Sequence, residues 1–219
     1  MLIKQIRSTD DTGTLSYIVA DETTKSALVI DPNLEDVQRI LLAADALDVE
    51  ITHLLDTHTH ADHISGLLKL KEITGAQTIM HAEAKDKYKF AHLGDAFGIG
   101  DILRENVKVE IDRFVEDDDD IMIGGIKIKV LHTPGHTNDH IALLAEGHLF
   151  TGDLLLIGQA GRSDLPGGNA EEQYDSLFMK IMKLPNDTII HPGHDYDKTE
   201  FTTLAKEKVE NPFLAPRSK

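Results

Sequence analysis

Short apolar runs alternate along the chain with apolar residues at helical spacing. Leu15–Ala20 and Ser26–Ile30 read as strands joined by the polar turn Asp21–Lys25. Asp31-Pro32-Asn33 punctuates the second. Leu34, Val37, Ile40, Leu41, Ala44 and Leu47 then recur at helical spacing, with Asn33 as the cap. Thr52–Leu55 is a short strand, Ile64–Ile73 a helix stopped by Gly75, and Gln77–Met80 another strand. Glu83–Arg113 has mixed polarity and no clear period, and reads as an insertion at the mouth of a site or a helical excursion. Ile121–Leu131 is a strand pair turning at Gly124-Gly125, and Ile141–Ala145 with His148–Thr151 a hairpin around Glu146-Gly147. Asn169 caps a helix carrying Tyr174, Leu177, Phe178, Ile181 and Met182, with Glu172 at the capping-box position. Thr188–Ile190 reads as the last strand and Glu200–Glu210 as the last helix. Strands interleaved with helices predict an α/β layered architecture, and 219 residues fit one domain over 1–219.

Composition narrows the function. Hydrophobic residues are 41% and charged residues 27%, the balance of a soluble globular protein. No run approaches the roughly 18 apolar residues of a membrane span. Met1–Asp11 lacks an apolar signal core, so the expected location is cytoplasmic, with no membrane partner. A net charge of −16 argues against nucleic acid, which needs clustered Lys and Arg. The acidic run Glu116–Asp120 lacks the spacing of a calcium loop and reads as a solvated loop before a strand. The absence of cysteine excludes disulfides, thiolate metal sites and a protein-bound persulfide.

The chemistry concentrates in four polar segments, each behind an apolar one. Thr57-His58-Thr59-His60-Ala61-Asp62-His63 packs three imidazoles and a carboxylate into six residues. Thr133-Pro134-Gly135-His136-Thr137, Phe150-Thr151-Gly152-Asp153 and His191-Pro192-Gly193-His194 follow. Imidazole and carboxylate suit zinc, iron and manganese. A lone His is more often a hydrogen-bonded core residue, but that reading fails for five histidines and two aspartates in this order. His53, His81, His92, His132, His140, His148 and His191 read as surface or supporting residues, with His140 the main exception because it lies so near His136.

In this order the four segments resemble the metallo-β-lactamase superfamily, over about Ser16–Asn211. The resemblance implies an αβ/βα sandwich of two mixed sheets flanked by helices, with metal at one edge. It matches His58, His60, Asp62, His63, His136, Asp153 and His194 to the seven metal-site positions. One site then draws on His58, His60, His136 and Asp153, another on Asp62, His63, His194 and Asp153, with Asp153 bridging. Gly161-Arg162-Ser163-Asp164-Leu165, Gly193-His194-Asp195-Tyr196 and Glu210-Asn211-Pro212-Phe213-Leu214 resemble the persulfide dioxygenase branch. Two departures are Gln159-Ala160, where many relatives carry a cysteine before Gly-Arg, and the longer middle insertion.

That branch implies one Fe(II) per chain held by His58, His136 and Asp153, with positions open for glutathione persulfide and O2, and sulfite and glutathione as products. His60, Asp62, His63 and His194 would orient ligands and water. Arg162 would grip a substrate carboxylate or form a structural ion pair, and Tyr196 would hydrogen-bond at the metal or pack. The main alternative is a glyoxalase-II-type thioester hydrolase with two Zn, Fe or Mn ions. Against it stand the Gly161–Leu165 segment and the mere 25 residues after His194, too few for that family's helical substrate domain. A non-catalytic metal-binding protein would have lost ligands, and none is lost. The sequence leaves a homodimer open.

Overall fold

The computed structural model describes residues 1–85, 111–196 and 199–214. Two six-stranded mixed sheets dominate them. The first runs β1 (Leu2–Arg7), β2 (Leu15–Ala20), β3 (Ser26–Ile30), β4 (Glu50–Leu55), β5 (Gln77–His81) and β6 (Arg113–Val115) in spatial order. β1–β3 are antiparallel neighbours, whereas β3–β6 run parallel. The second contains β7 (Asp120–Ile123), β8 (Ile126–His132), β9 (Ile141–Ala145), β10 (His148–Gly152), β13 (Ile189–Pro192) and β14 (Thr202–Thr203), ordered β14-β13-β10-β9-β8-β7. A two-stranded ribbon, β11 (Leu155–Leu156) and β12 (Gln159–Ala160), stands apart.

Side-chain alternation sorts the strands into layers. Leu15, Tyr17 and Val19 point inward with Leu28, Ile30, Ile128, Val130, Leu143 and Phe150, forming a core between the sheets. Ile18, Ala20, Ala27 and Val29 face outward and pack on Val37, Ile40 and Ala44 of α1 (Val37–Ala46) and on Leu67 and Leu70 of α3 (Leu67–Thr74). Beyond the second sheet, Ala142, Leu149 and Ile190 meet Leu177 and Ile181, and Leu204 of α5 (Leu204–Glu210). The order is helices, sheet, sheet, helices. Among the described residues no helix is long and apolar enough to cross a membrane.

Several elements differ from expectation. β1 adds an edge strand whose mostly half-exposed pattern carries no clear apolar run in the sequence. The helix expected over Ile64–Ile73 is two, α2 (Ala61–Ile64) and α3, split where Gly66 N–H donates to Pro32 O at 2.7 Å. A Cβ at Gly66 would stand 2.7 Å from that oxygen, so the approach needs glycine. Asn33 does cap, but its first turn is a 3-10 turn, Leu34–Asp36. Asn169 caps α4 (Ala170–Asp175) through the amides of Glu171 and Glu172. Its own N–H goes to Gly135 O instead of completing a capping box, and the helix relaxes into a π turn at Ser176–Lys180. The last strand is β14, not Thr188–Ile190, and the final helix begins at Leu204, capped by Thr203. The acidic run behaves as expected up to Asp119, with Asp117 meeting Lys180, and Asp120 opens β7. Most of the insertion, with His92, lies outside the described residues.

Candidate metal centre

The strand ends at one edge of the sandwich deliver the donors. β4 ends in the loop bearing His58 and His60, and α2 carries Asp62 and His63. The β8–β9 loop carries His136, β10 runs into Asp153, and β13 into His194. Thr57 O accepts the Ile141 N–H at 2.9 Å, and Thr14 bridges His194, so the two sheets close on each other here.

All seven donors converge. His60 Nδ1 lies 3.1 Å from His58 Nε2 and 2.8 Å from His136 Nε2, and Asp153 Oδ2 lies 3.5 Å from His136 Nε2. Beside them, His194 Nε2 is 3.3 Å from both His63 Nε2 and Asp62 Oδ2, and 3.2 Å from Asp153 Oδ2. Asp153 Oδ1 is 3.6 Å from His63 Nε2. Metal–nitrogen bonds of about 2.1 Å place adjacent ligands of one ion roughly 3.0–3.4 Å apart, so these spacings fit shared ions. His58, His60 and His136 make one group, Asp62, His63 and His194 a second, and Asp153 reaches both. The buried Asp153 Oδ1 has no hydrogen-bond partner among the described residues, as expected of an oxygen reserved for a cation. This is a His/Asp metal-binding site.

Charge divides the two groups. Burial holds His58 and His136 below the usual imidazole range and takes His60 down to about 4, so these rings are neutral with lone pairs free. In the second group burial also opposes charge, but Asp62, Asp31 and Asp153 outweigh it at His63, and Asp153 and Asp62 raise His194 to about 9. Burial would push Asp62 and Asp153 up, yet His63 and His194 hold both below the usual carboxylate range.

Hydrogen bonds behind the rings aim the nitrogens. His136 Nδ1–H donates to Arg162 O at 2.6 Å, and His194 Nδ1–H to Thr12 O at 3.0 Å. His63 Nδ1–H donates to Asp31 Oδ2 at 2.9 Å. His58 Nδ1–H donates to Thr57 Oγ1 at 3.0 Å, and that hydroxyl donates to Asp31 Oδ2. Four imidazoles therefore present Nε2 to the centre, fixed by their far nitrogens. Asp31, which reads in the sequence as turn punctuation, is buried and also accepts the Thr57 N–H. Its φ of 49° is a feature of the fold, and its place directly after an apolar strand is the one sequence signal that could have found it.

A cleft of about 810 Å³ reaches the centre, lined among others by His60, Asp62, His136, Asp153, Arg162 and Tyr196. The Arg162 side chain is 67% exposed and forks onto Asp164 at 2.9 and 3.0 Å. Tyr196 is 57% exposed and stacks on His194 with centroids 5.2 Å apart; no partner for its hydroxyl exists among the described residues. The Asn211 segment acts from behind: its buried Nδ2 donates to Gln159 O and Leu156 O, bracing the ribbon that walls the cleft. Of the remaining histidines, His81 stacks on His132 and His191 on His148, away from the donors. His140 is buried against the Asp153 backbone.

The site and the sandwich have close relatives. The chain is 35% identical to the hydroxyacylglutathione hydrolase GloC of Haemophilus influenzae over 93% of each chain. It is 32% identical to the mitochondrial persulfide dioxygenase ETHE1 of Bos taurus, over 92% of this chain and 71% of that protein. The crystal structure of ETHE1 from Myxococcus xanthus superposes with a TM-score of 0.82 at 36% identity, covering 97% of this chain and 84% of that one. The family model for the metallo-beta-lactamase superfamily matches residues 9–194, from the Thr12 turn to the last donor. The chain belongs to the metallo-beta-lactamase superfamily.

Proposed function

We propose that this chain is an iron-dependent persulfide dioxygenase, converting glutathione persulfide, O2 and water to sulfite and glutathione. The observation that carries the reading is that buried His58 shares one donor group with His136 and another with Asp153, and that His136 and Asp153 line a cleft walled by Gly161, Arg162 and Leu165. In this reading His58, His136 and Asp153 hold one Fe(II). Iron in a two-His, one-carboxylate set would keep positions open for substrate and O2 and would pass electrons from the persulfide sulfur to O2, a redox role closed-shell zinc cannot take. The similarity to ETHE1 proteins supports the assignment.

The chain's own groups do the rest. Neutral His58 and His136 offer Nε2 lone pairs, and Arg162 fixes His136 through its backbone carbonyl. The Arg162 fork, held among the described residues by exposed Asp164, can exchange that partner for a glutathione carboxylate. Glu35, exposed on the cleft lining, suits the ammonium of the same tripeptide. His60, Asp62 and His194 face the cleft and orient water by hydrogen bonds. With no cysteine in the chain, the sulfane sulfur arrives on the substrate. A cytoplasmic location and a single domain go with this reading.

The second reading, thioester hydrolysis with two ions, is favoured by the completeness of the Asp62, His63 and His194 group and by GloC matching along nearly its full length. Quantifying sulfite after incubating iron-loaded protein with glutathione persulfide in air tests the proposal. Sulfite equal to persulfide consumed is expected; free thiol from an acylglutathione without sulfite from the persulfide transfers the chain to the second reading.

A further inference from the structure

His140 serves no ligand role in either donor group, yet it is fully buried at their back. It sits immediately before β9, at the neck of the loop that carries His136. Its carbonyl accepts the Thr133 N–H at 2.9 Å and closes that loop. Its ring reaches the next one: the Asp153 backbone N–H donates to His140 Nε2 at 3.2 Å. A backbone amide can only donate, so Nε2 is unprotonated and the ring proton sits on Nδ1. Nδ1–H donates to Thr133 Oγ1 at 2.9 Å. One tautomer satisfies both contacts.

The surroundings are cut to admit this ring. Gly152, with φ at 46°, lies where a Cβ would come 2.7 Å from His140 Nε2 and 2.7 Å from Thr57 Oγ1. The ring also packs against His58, with centroids 5.2 Å apart, and edge-on to His136 at 6.1 Å. His58, His136 and Asp153 come from three different loops, and one imidazole touches all three.

We infer that His140 is a positioning residue for the metal centre, whose Nε2 lone pair holds the Asp153 backbone and so sets the carboxylate between the two donor groups. The inference concerns ion retention and holds under either reading of the reaction. It differs from simple space-filling because it depends on an acceptor at one atom. A Gln side chain places an acceptor about where Nε2 sits, whereas an Asn side chain ends about where Nδ1 sits and leaves the Asp153 N–H unpaired.

The test compares His140→Asn with His140→Gln in the full chain. Co(II) affinity is measured by chelator competition, the Co(II) visible spectrum is recorded, and the unfolding midpoint of each metal-free protein is taken. His140→Asn is expected to weaken Co(II) binding on the order of 10- to 100-fold with a shifted spectrum, and His140→Gln to stay within about threefold of the parent with the parent spectrum. The two metal-free midpoints should agree. Parent-like affinity in both variants overturns the inference. Equal loss in both, tracking equal loss of metal-free stability, overturns it in favour of packing. So does failure of both to unfold cooperatively.

Discussion

Asp31→Asn alters one carboxylate that serves three donors. An amide can satisfy the Thr57 N–H with its oxygen, but its NH2 then faces the Thr57 hydroxyl and His63 Nδ1–H that Asp31 Oδ2 now accepts. Loss of such a supporting contact costs roughly 10- to 100-fold in metal affinity, and isothermal titration of metal-free protein with Fe(II) or Co(II) under argon measures it. Parent-like affinity would remove Asp31 from the account. Ala substitutions at His58, His136 and Asp153 go further: each removes a donor, and each variant should emerge from iron reconstitution with well under one iron per chain by elemental analysis. Near-stoichiometric iron in all three would contradict the ligand assignment. Arg162→Ala should leave iron content unchanged, because His136 relies on the Arg162 carbonyl and not on its side chain. Its high exposure argues for only a several-fold fall in kcat/KM toward glutathione persulfide, carried mostly by KM. Unchanged kinetics would leave Arg162 as the partner of Asp164 alone. At this scale the donors were legible because three imidazoles and a carboxylate crowd into His58–His63, and His136, Asp153 and His194 each follow a glycine behind an apolar run. Asp31 read only as turn punctuation and His140 only as a histidine near His136, because folding creates the contacts through which each acts.

At the scale of elements, period served well wherever one face is buried and poorly at edges and joints. β2 and β3 are covered on both faces and read as apolar runs. β1, β6 and β14 border a sheet or carry few residues, and their patterns fall below the signal. The break between α2 and α3 has a tertiary cause: the Pro32–Asn33 backbone enters the space a side chain at position 66 would take. Gly66→Ala must push that backbone away, for about 1–3 kcal/mol of destabilisation by urea unfolding. The same shift moves the loop that starts at Asp31, so iron affinity should fall with it. A variant as stable as the parent would mean the joint is not tight.

For the whole molecule, the sandwich is the means by which seven donors from both sheets meet. Its centre is apolar, while its edge gathers imidazoles and carboxylates whose mutual charges an ion would balance. Metal should therefore stabilise the assembled edge by mass action, by about 2.7 kcal/mol at a free concentration 100 times Kd, raising Tm over the metal-free protein. A Tm indifferent to iron would argue against a preformed site. The layered class and the site's location were legible from strand–helix alternation and motif order. The choice of reaction was not, because two reactions of this superfamily draw on the same donors. The most direct measurement places one iron-loaded sample in an oxygen electrode with glutathione persulfide and, in parallel, in an acylglutathione hydrolysis assay. Iron-dependent persulfide oxidation predicts persulfide-dependent oxygen uptake, abolished when zinc replaces iron, with little thioester turnover. Thioester turnover without oxygen uptake would contradict it.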